Sequence, residues 1–174
     1  MKYLVKFFVV TFLLFIYTHA SAEQKIAYLD MKFVLNNSKA GKGAQDYLQK
    51  SFKENQQKFL DEENALKKKE NDLLAQKTIL TKKEYQKKSD DLRKKVIDYQ
   101  SQRRTALEKI TSQRAEARQK LLEKLDPIMK TYIKENDISL IIDRKNVLMG
   151  NTNLDITNLI VEKLNKEFPS LSIK

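Results

Sequence analysis

Residues 44–126 read AQDYLQKSFKENQQKFLDEENALKKKENDLLAQKTILTKKEYQKKSDDLRKKVIDYQSQRRTALEKITSQRAEARQKLLEKLD. These 83 residues contain neither Gly nor Pro. Sheet-based domains mark their turns with such residues about every ten positions, so an ordinary α/β or all-β domain does not fit here. Phe52, Phe59, Leu66, Leu73 and Leu80 recur every seven residues, which is a coiled-coil period. Their companions Leu48, Asn55, Glu62, Lys69 and Gln76 are mostly polar, so the seam is thin. Leu92, Val96, Tyr99, Ala106, Ile110 and Ala117 trace a second seam, interrupted at Arg103 and Gln113. Thin seams suit two helices leaning on each other with water around most of their circumference.

The break between the helices falls at residues 78–81. Thr78, Ile79 and Leu80 make a poor helix interior, and Thr81-Lys82-Lys83-Glu84 fits a capping box, in which Thr caps the Glu84 amide and Glu84 reaches back. The first helix is expected over residues 39–77 and the second over 82–125. Each would be roughly 55–65 Å long. One unbroken helix would hold the two flanks more than about 100 Å apart and leave both without a core, whereas a hairpin brings them together.

The flanks are richer in core material. Of the 84 residues 42–125, 26 are apolar, against 29 of the 68 in 23–41 and 126–174. The arm is therefore read as an insert in a discontinuous body. Ile26–Leu29 reads as a short buried strand and Asp30 as the cap of a brief helix. Ser38, within the formal glycosylation sequon Asn36-Asn37-Ser38, reads as a helix-start cap. Asp126-Pro127 reads as a cap and first helical position, so the second arm is expected to bend or restart there and continue to about Glu135. Ile138–Ile142 is the strongest strand, with Val147-Leu148-Met149 as its hairpin partner. Asp155 is expected to cap a last helix. A body of 68 residues is at the size where one core stabilises little, so several chains are expected to share it.

Residues 1–22 read as a secretory signal. Lys2 and Lys6 precede an apolar run from Phe7 to Tyr17, and Ala20-Ser21-Ala22 offers a cleavage site after Ala22. The run is shorter than the ~20 residues that span a bilayer, which disfavours an uncleaved anchor. Cleavage would leave 152 residues and remove the one histidine, His19. With no Cys and no mature His, thiol catalysis, a Ser-His-Asp triad and Cys- or His-ligated metals drop out. Asp30 and Asp143 both end strands, but capping is their simpler role. No catalytic pair, metal site or cofactor loop is legible, and an enzyme is not expected.

The chain carries 34 basic and 23 acidic residues. Residues 81–125 hold 14 basic and seven acidic, against eight and seven in 40–80. Acids interleave throughout the second arm, unlike a dense nucleic-acid-binding region, and export removes nucleic acid as a partner. Two readings stand for this charge: a solvated helix with i,i+4 pairs, or attraction to an anionic polypeptide or lipid.

Lys25-Ile-Ala-Tyr-Leu-Asp-Met-Lys-Phe-Val-Leu35 and Ser38-Lys-Ala-Gly-Lys-Gly-Ala44 resemble the start of the Skp/OmpH family of periplasmic chaperones. Asp137-Ile-Ser-Leu-Ile-Ile-Asp-Arg-Lys-Asn-Val-Leu148, Leu154-Asp-Ile-Thr157 and Val161-Glu-Lys-Leu-Asn-Lys166 resemble its closing strands and helix. The resemblance spans the chain after the signal and is specific at its two ends. It implies a periplasmic homotrimer that holds unfolded outer-membrane β-barrel precursors without ATP, in a cavity between helical arms. The implied fold is α+β, mostly α: a long antiparallel hairpin inserted into a small β-containing trimerisation body. Apolar arm residues off the seams, Leu60, Leu74, Ile97 and Leu107, are candidate client contacts, with ordinary hairpin packing as the competing reading. Some members of the family are proposed to bind lipopolysaccharide through a basic cluster on the arms. Lys94, Lys95, Arg103 and Arg104 are the local basic concentration here. The competing function is an envelope coiled coil that binds a folded partner or an anionic lipid surface.

Overall fold

The computed structural model describes residues 24–173. The expected signal and its cleavage after Ala22 lie outside the described residues. The elements run β1 (Lys25–Leu29), α1 (Met31–Asn37), α2 (Lys39–Ala75), α3 (Lys82–Glu135), β2 (Ile138–Asp143) and α4 (Thr157–Glu167). Short 3-10 turns occupy Arg144–Asn146 and Thr152–Leu154. At 1.5 Å per residue, α2 is about 55 Å long and α3 about 80 Å.

Local chemistry sets most of the boundaries. Asp30 accepts from the Phe33 amide at 2.8 Å and starts α1. Ser38, fully buried, accepts from the Gly41 amide at 3.1 Å and starts α2. Asn165 of α4 reaches across to accept from the Lys39 amide at 2.6 Å, so the last helix also caps the first arm. Gly41 allows α1 and α2 to cross closely, since an added Cβ would lie 1.8 Å from the Leu35 carbonyl oxygen.

The hairpin turn forms as expected, without glycine. α2 ends at Ala75, and the amides of Ile79 and Leu80 both donate to the Gln76 carbonyl at 3.0 Å. Thr81 caps α3 in a complete capping box. The Glu84 amide donates to Thr81 Oγ1 at 3.3 Å, and Glu84 Oε2 accepts from the Thr81 amide at 3.1 Å.

Two local expectations need correction. Asp126 is not a cap, because α3 runs through Pro127 to Glu135. Proline removes one helical hydrogen bond, but Leu121, Leu125 and Ile128 are buried on either side of it and the helix continues past it. Asp126 instead pairs with Lys130 one turn on, at 2.7 Å. The second correction concerns β2, which has no hairpin partner at 147–149. It pairs in parallel with β1, in the register Ile26 to Leu140, Ala27 to Ile141, Tyr28 to Ile142 and Leu29 to Asp143. After β2, Asp143 Oδ1 accepts from the Lys145 amide and winds the chain into a 3-10 turn, so it cannot fold straight back. Parallel strands need a long crossover, and the whole helical hairpin supplies it.

Asp155, expected as the cap of the last helix, acts from one position before the N-cap. The N-cap place is held by Ile156, yet Asp155 Oδ1 accepts from the Thr157 amide at 2.9 Å and from its hydroxyl. Thr157 Oγ1 in turn accepts from the Asp30 amide at 2.9 Å, which ties α4 to the end of β1.

One core joins these elements. Ala27 and Leu29 of β1, Val34 and Leu35 of α1, Leu121, Leu125 and Ile128 of α3, and Ile156, Ile160 and Leu164 at α4 bury together. Leu121 and Leu125 contribute to it from before residue 126. The body leaves Ile26, Leu140, Leu148 and Met149 exposed. Among the described residues no helix is long and apolar enough to cross a membrane.

Candidate functional site: a groove along the arms

The arm seam changes character along its length. Near the body, Ala44 and Leu48 of α2 and Ile110, Gln113 and Ala117 of α3 are buried. Farther out, Phe59 is buried and meets Tyr99 edge-on, with ring centroids 5.9 Å apart. Between these two zones the second seam carries Arg103, whose side chain cannot fill a coiled-coil hole.

A groove of about 1200 Å³ opens along the arm, bounded by residues 63–70 of α2 and 89–112 of α3. Its floor is apolar, from Leu66 on α2 and Leu92, Val96, Tyr99 and Leu107 on α3. Its rims are charged, with Glu63, Lys67 and Glu70 on one side and Arg93, Arg103, Arg104 and Glu108 on the other. Ser89, Arg93, Val96, Gln100, Arg103 and Leu107 follow each other at three and four residues, so one face of α3 forms a wall roughly 30 Å long.

A polar clasp closes the groove against α2. The Tyr99 hydroxyl donates to Glu63 Oε2 at 3.4 Å, and Lys67 Nζ pairs with Glu63 Oε1 at 2.7 Å. The Lys67 hydrogen bond and charge hold the Glu63 carboxyl below its usual range, helped by the Tyr99 hydrogen bond and the Arg103 charge. Glu63 raises the Lys67 ammonium in return. Both groups stay ionised over the physiological range.

The expected contact residues divide. Leu107, Arg103 and Arg104 line the groove together. Leu60, Leu74 and Ile97 are about half exposed and lie outside its lining. Lys95 borders a smaller cleft near the turn with Lys69, Gln76 and Lys88. Lys94 is exposed and lines neither. The four basic residues therefore do not form one cluster: consecutive helical positions point about 100° apart, and nine residues separate Lys94 from Arg103. Leu66, Leu92, Val96 and Tyr99, read from sequence as seam, also form the groove floor. Arg103, where the second seam is interrupted, stands among the lining residues.

A small two-stranded sheet and short helices carrying a long two-helix hairpin with an open amphipathic groove define the class of fold. The chain belongs to the OmpH-like outer membrane protein family, whose model matches residues 25–164. It is 25% identical over 166 residues to the Skp-like protein of Pseudomonas aeruginosa PAO1, covering 95% of this chain and 99% of that one. Its fold is similar to a solved OmpH-like structure from Caulobacter crescentus CB15, with a TM-score of 0.81 and 19% identity over 90% of this chain and 93% of that one. The resemblance read at the two ends of the sequence is thereby borne out, as is the mostly helical α+β fold.

Proposed function

We propose that this protein is an ATP-independent periplasmic holdase for unfolded outer-membrane β-barrel precursors. The groove between the arms is the observation that carries the reading. An unfolded barrel segment presents apolar side chains alternating with polar ones and has unpaired strand edges, which aggregate. A groove with an apolar floor and flexible charged rims holds such a segment by many weak contacts without requiring one sequence. The excess of Lys and Arg on α3 draws acidic clients by long-range attraction. Arms with a thin seam separate at low cost and fit clients of different size.

The body is read as the site of trimerisation. Among the described residues β2 pairs only with β1, and Ile26 and Leu140 leave the sheet partly exposed. Leu148 and Met149 are 105% and 93% exposed, which is costly for an isolated chain and is relieved when copies pack together. Three copies would place three arms around one cavity.

The functional test is aggregation. A urea-unfolded β-barrel membrane protein is diluted with and without the chain, and light scattering is followed. Suppression at a threefold molar excess is expected. Unchanged scattering would sink the holdase reading and favour an envelope adaptor. Trimerisation is tested separately by sedimentation, where a monomeric mass at micromolar concentration refutes it.

A further inference from the structure

We propose that Glu63 is a built-in stand-in for a client carboxylate, occupying the cations at the groove until an acidic segment displaces it. This rests on the holdase reading and names the residue that sets how tightly the same groove holds acidic clients.

Glu63 is bonded from both helices of the arm. Lys67 Nζ lies 2.7 Å from its Oε1, one turn along α2, and the Tyr99 hydroxyl donates to its Oε2 from α3 at 3.4 Å. Arg103, in the same lining, adds its charge. An ammonium, a phenol hydroxyl and a guanidinium thus converge on one carboxylate, and the same set would receive an Asp or Glu of a bound chain. Arg93 and Arg104 differ. They pair within α3, with Asp90 at 3.6 Å and Glu108 at 3.9 Å, so neither pair spans the two helices.

The contact suits exchange. The Lys67 and Glu63 side chains are 64% and 40% exposed, so a client reaches both. Exposed pairs of this kind contribute little, and replacing one carboxylate by another is close to balanced. The apolar floor of Leu66, Val96 and Leu107 then decides which segments win. A segment with acids beside apolar residues gains the floor as well as the cations. An acidic segment without apolar residues gains nothing over Glu63. The Lys67 hydrogen bond and charge hold the Glu63 carboxyl below its usual range, so the competitor keeps its charge at neutral pH.

Fluorescence anisotropy tests this with two labelled probes. One is an acidic segment of an unfolded β-barrel membrane protein. The other is its counterpart with Asn and Gln in place of every Asp and Glu. Glu63→Gln keeps the side-chain shape and can still accept from Lys67 and Tyr99, but a neutral amide yields the cations more readily. It should bind the acidic probe about fivefold more tightly than the parent at low salt and the neutral probe equally. The gain should vanish at about 1 M salt. Glu54→Gln removes the same charge from α2 outside the groove lining and should bind the acidic probe like the parent. Helical melts of both variants should match the parent's. A parent that binds neither probe sinks the holdase reading and this inference with it. A parent that binds, with Glu63→Gln no tighter, overturns this inference alone. Equal tightening by Glu54→Gln does so too, since net charge then explains the effect, as does loss of helix in Glu63→Gln, which would make Glu63 a strut of the arm.

Discussion

The ring of Tyr99 meets the ring of Phe59 edge-on at 71°, and its hydroxyl bonds Glu63 one turn farther along the opposing helix. Phe59 is buried in a hairpin whose neighbouring seam positions Asn55 and Arg103 are polar. This pair is therefore the main apolar clamp in the middle of the arm. Phe59→Ala should cost about 2–3 kcal/mol of arm stability. It should appear as an earlier helical melting step in circular dichroism. Tyr99→Phe keeps the ring and should melt within about 0.5 kcal/mol of the parent.

Gly41 and Gly43, two positions apart on α2, behave oppositely. A Cβ on Gly41 would collide with the Leu35 backbone, while one on Gly43 meets nothing within 4 Å. Gly41→Ala should destabilise the body severely or prevent folding. Gly43→Ala should raise stability by up to about 1 kcal/mol through helix propensity. Thermal melts of the two variants check both.

The capping box sets the pH behaviour of the turn. Hydrogen bonds from the Thr81 side chain and backbone hold the Glu84 carboxyl below its usual value. A depressed folded pKa means that the contribution is present above the unfolded value and is lost as pH falls through the folded one. Amide exchange at Lys82–Tyr85 should therefore accelerate relative to the body below about pH 4. Thr81→Ala should cost the helix start about 1 kcal/mol at neutral pH and weaken that acid dependence, since the backbone amide at 81 still bonds Glu84.

The groove predicts which arm residues matter for clients. Leu107→Glu should weaken suppression of scattering, as should Arg103→Glu/Arg104→Glu for acidic clients. Ile97→Ser and Lys94→Ala, outside the lining, should leave it unchanged. Loss on the order of tenfold in apparent affinity is expected for the Leu107 change. Equal effects at Leu107 and Ile97 would argue against the groove as the holding site.

Much of the arm was legible because its causes are local. The heptads placed α2 and α3, and Thr81-Lys82-Lys83-Glu84 placed the turn, since a cap and its partner lie three residues apart. Asp30 and Ser38 were legible as caps for the same reason. Pro127 misled because its local rule, a broken helix, was outweighed by Leu121, Leu125 and Ile128 in a core assembled from both ends of the chain. Val147–Met149 misled because a short apolar run before Gly150 suits a hairpin strand, yet the partner of β2 lies more than a hundred residues earlier.

The sequence by itself determined the helices, their caps, the turn and the excess of positive charge, all of which follow from neighbours within about four residues or from composition. Only the tertiary structure decided the parallel pairing of β1 with β2, the tight crossing at Gly41 and the groove beside Arg103. These depend on which distant segments meet, and that is settled when the hairpin closes and brings the two flanks into one core.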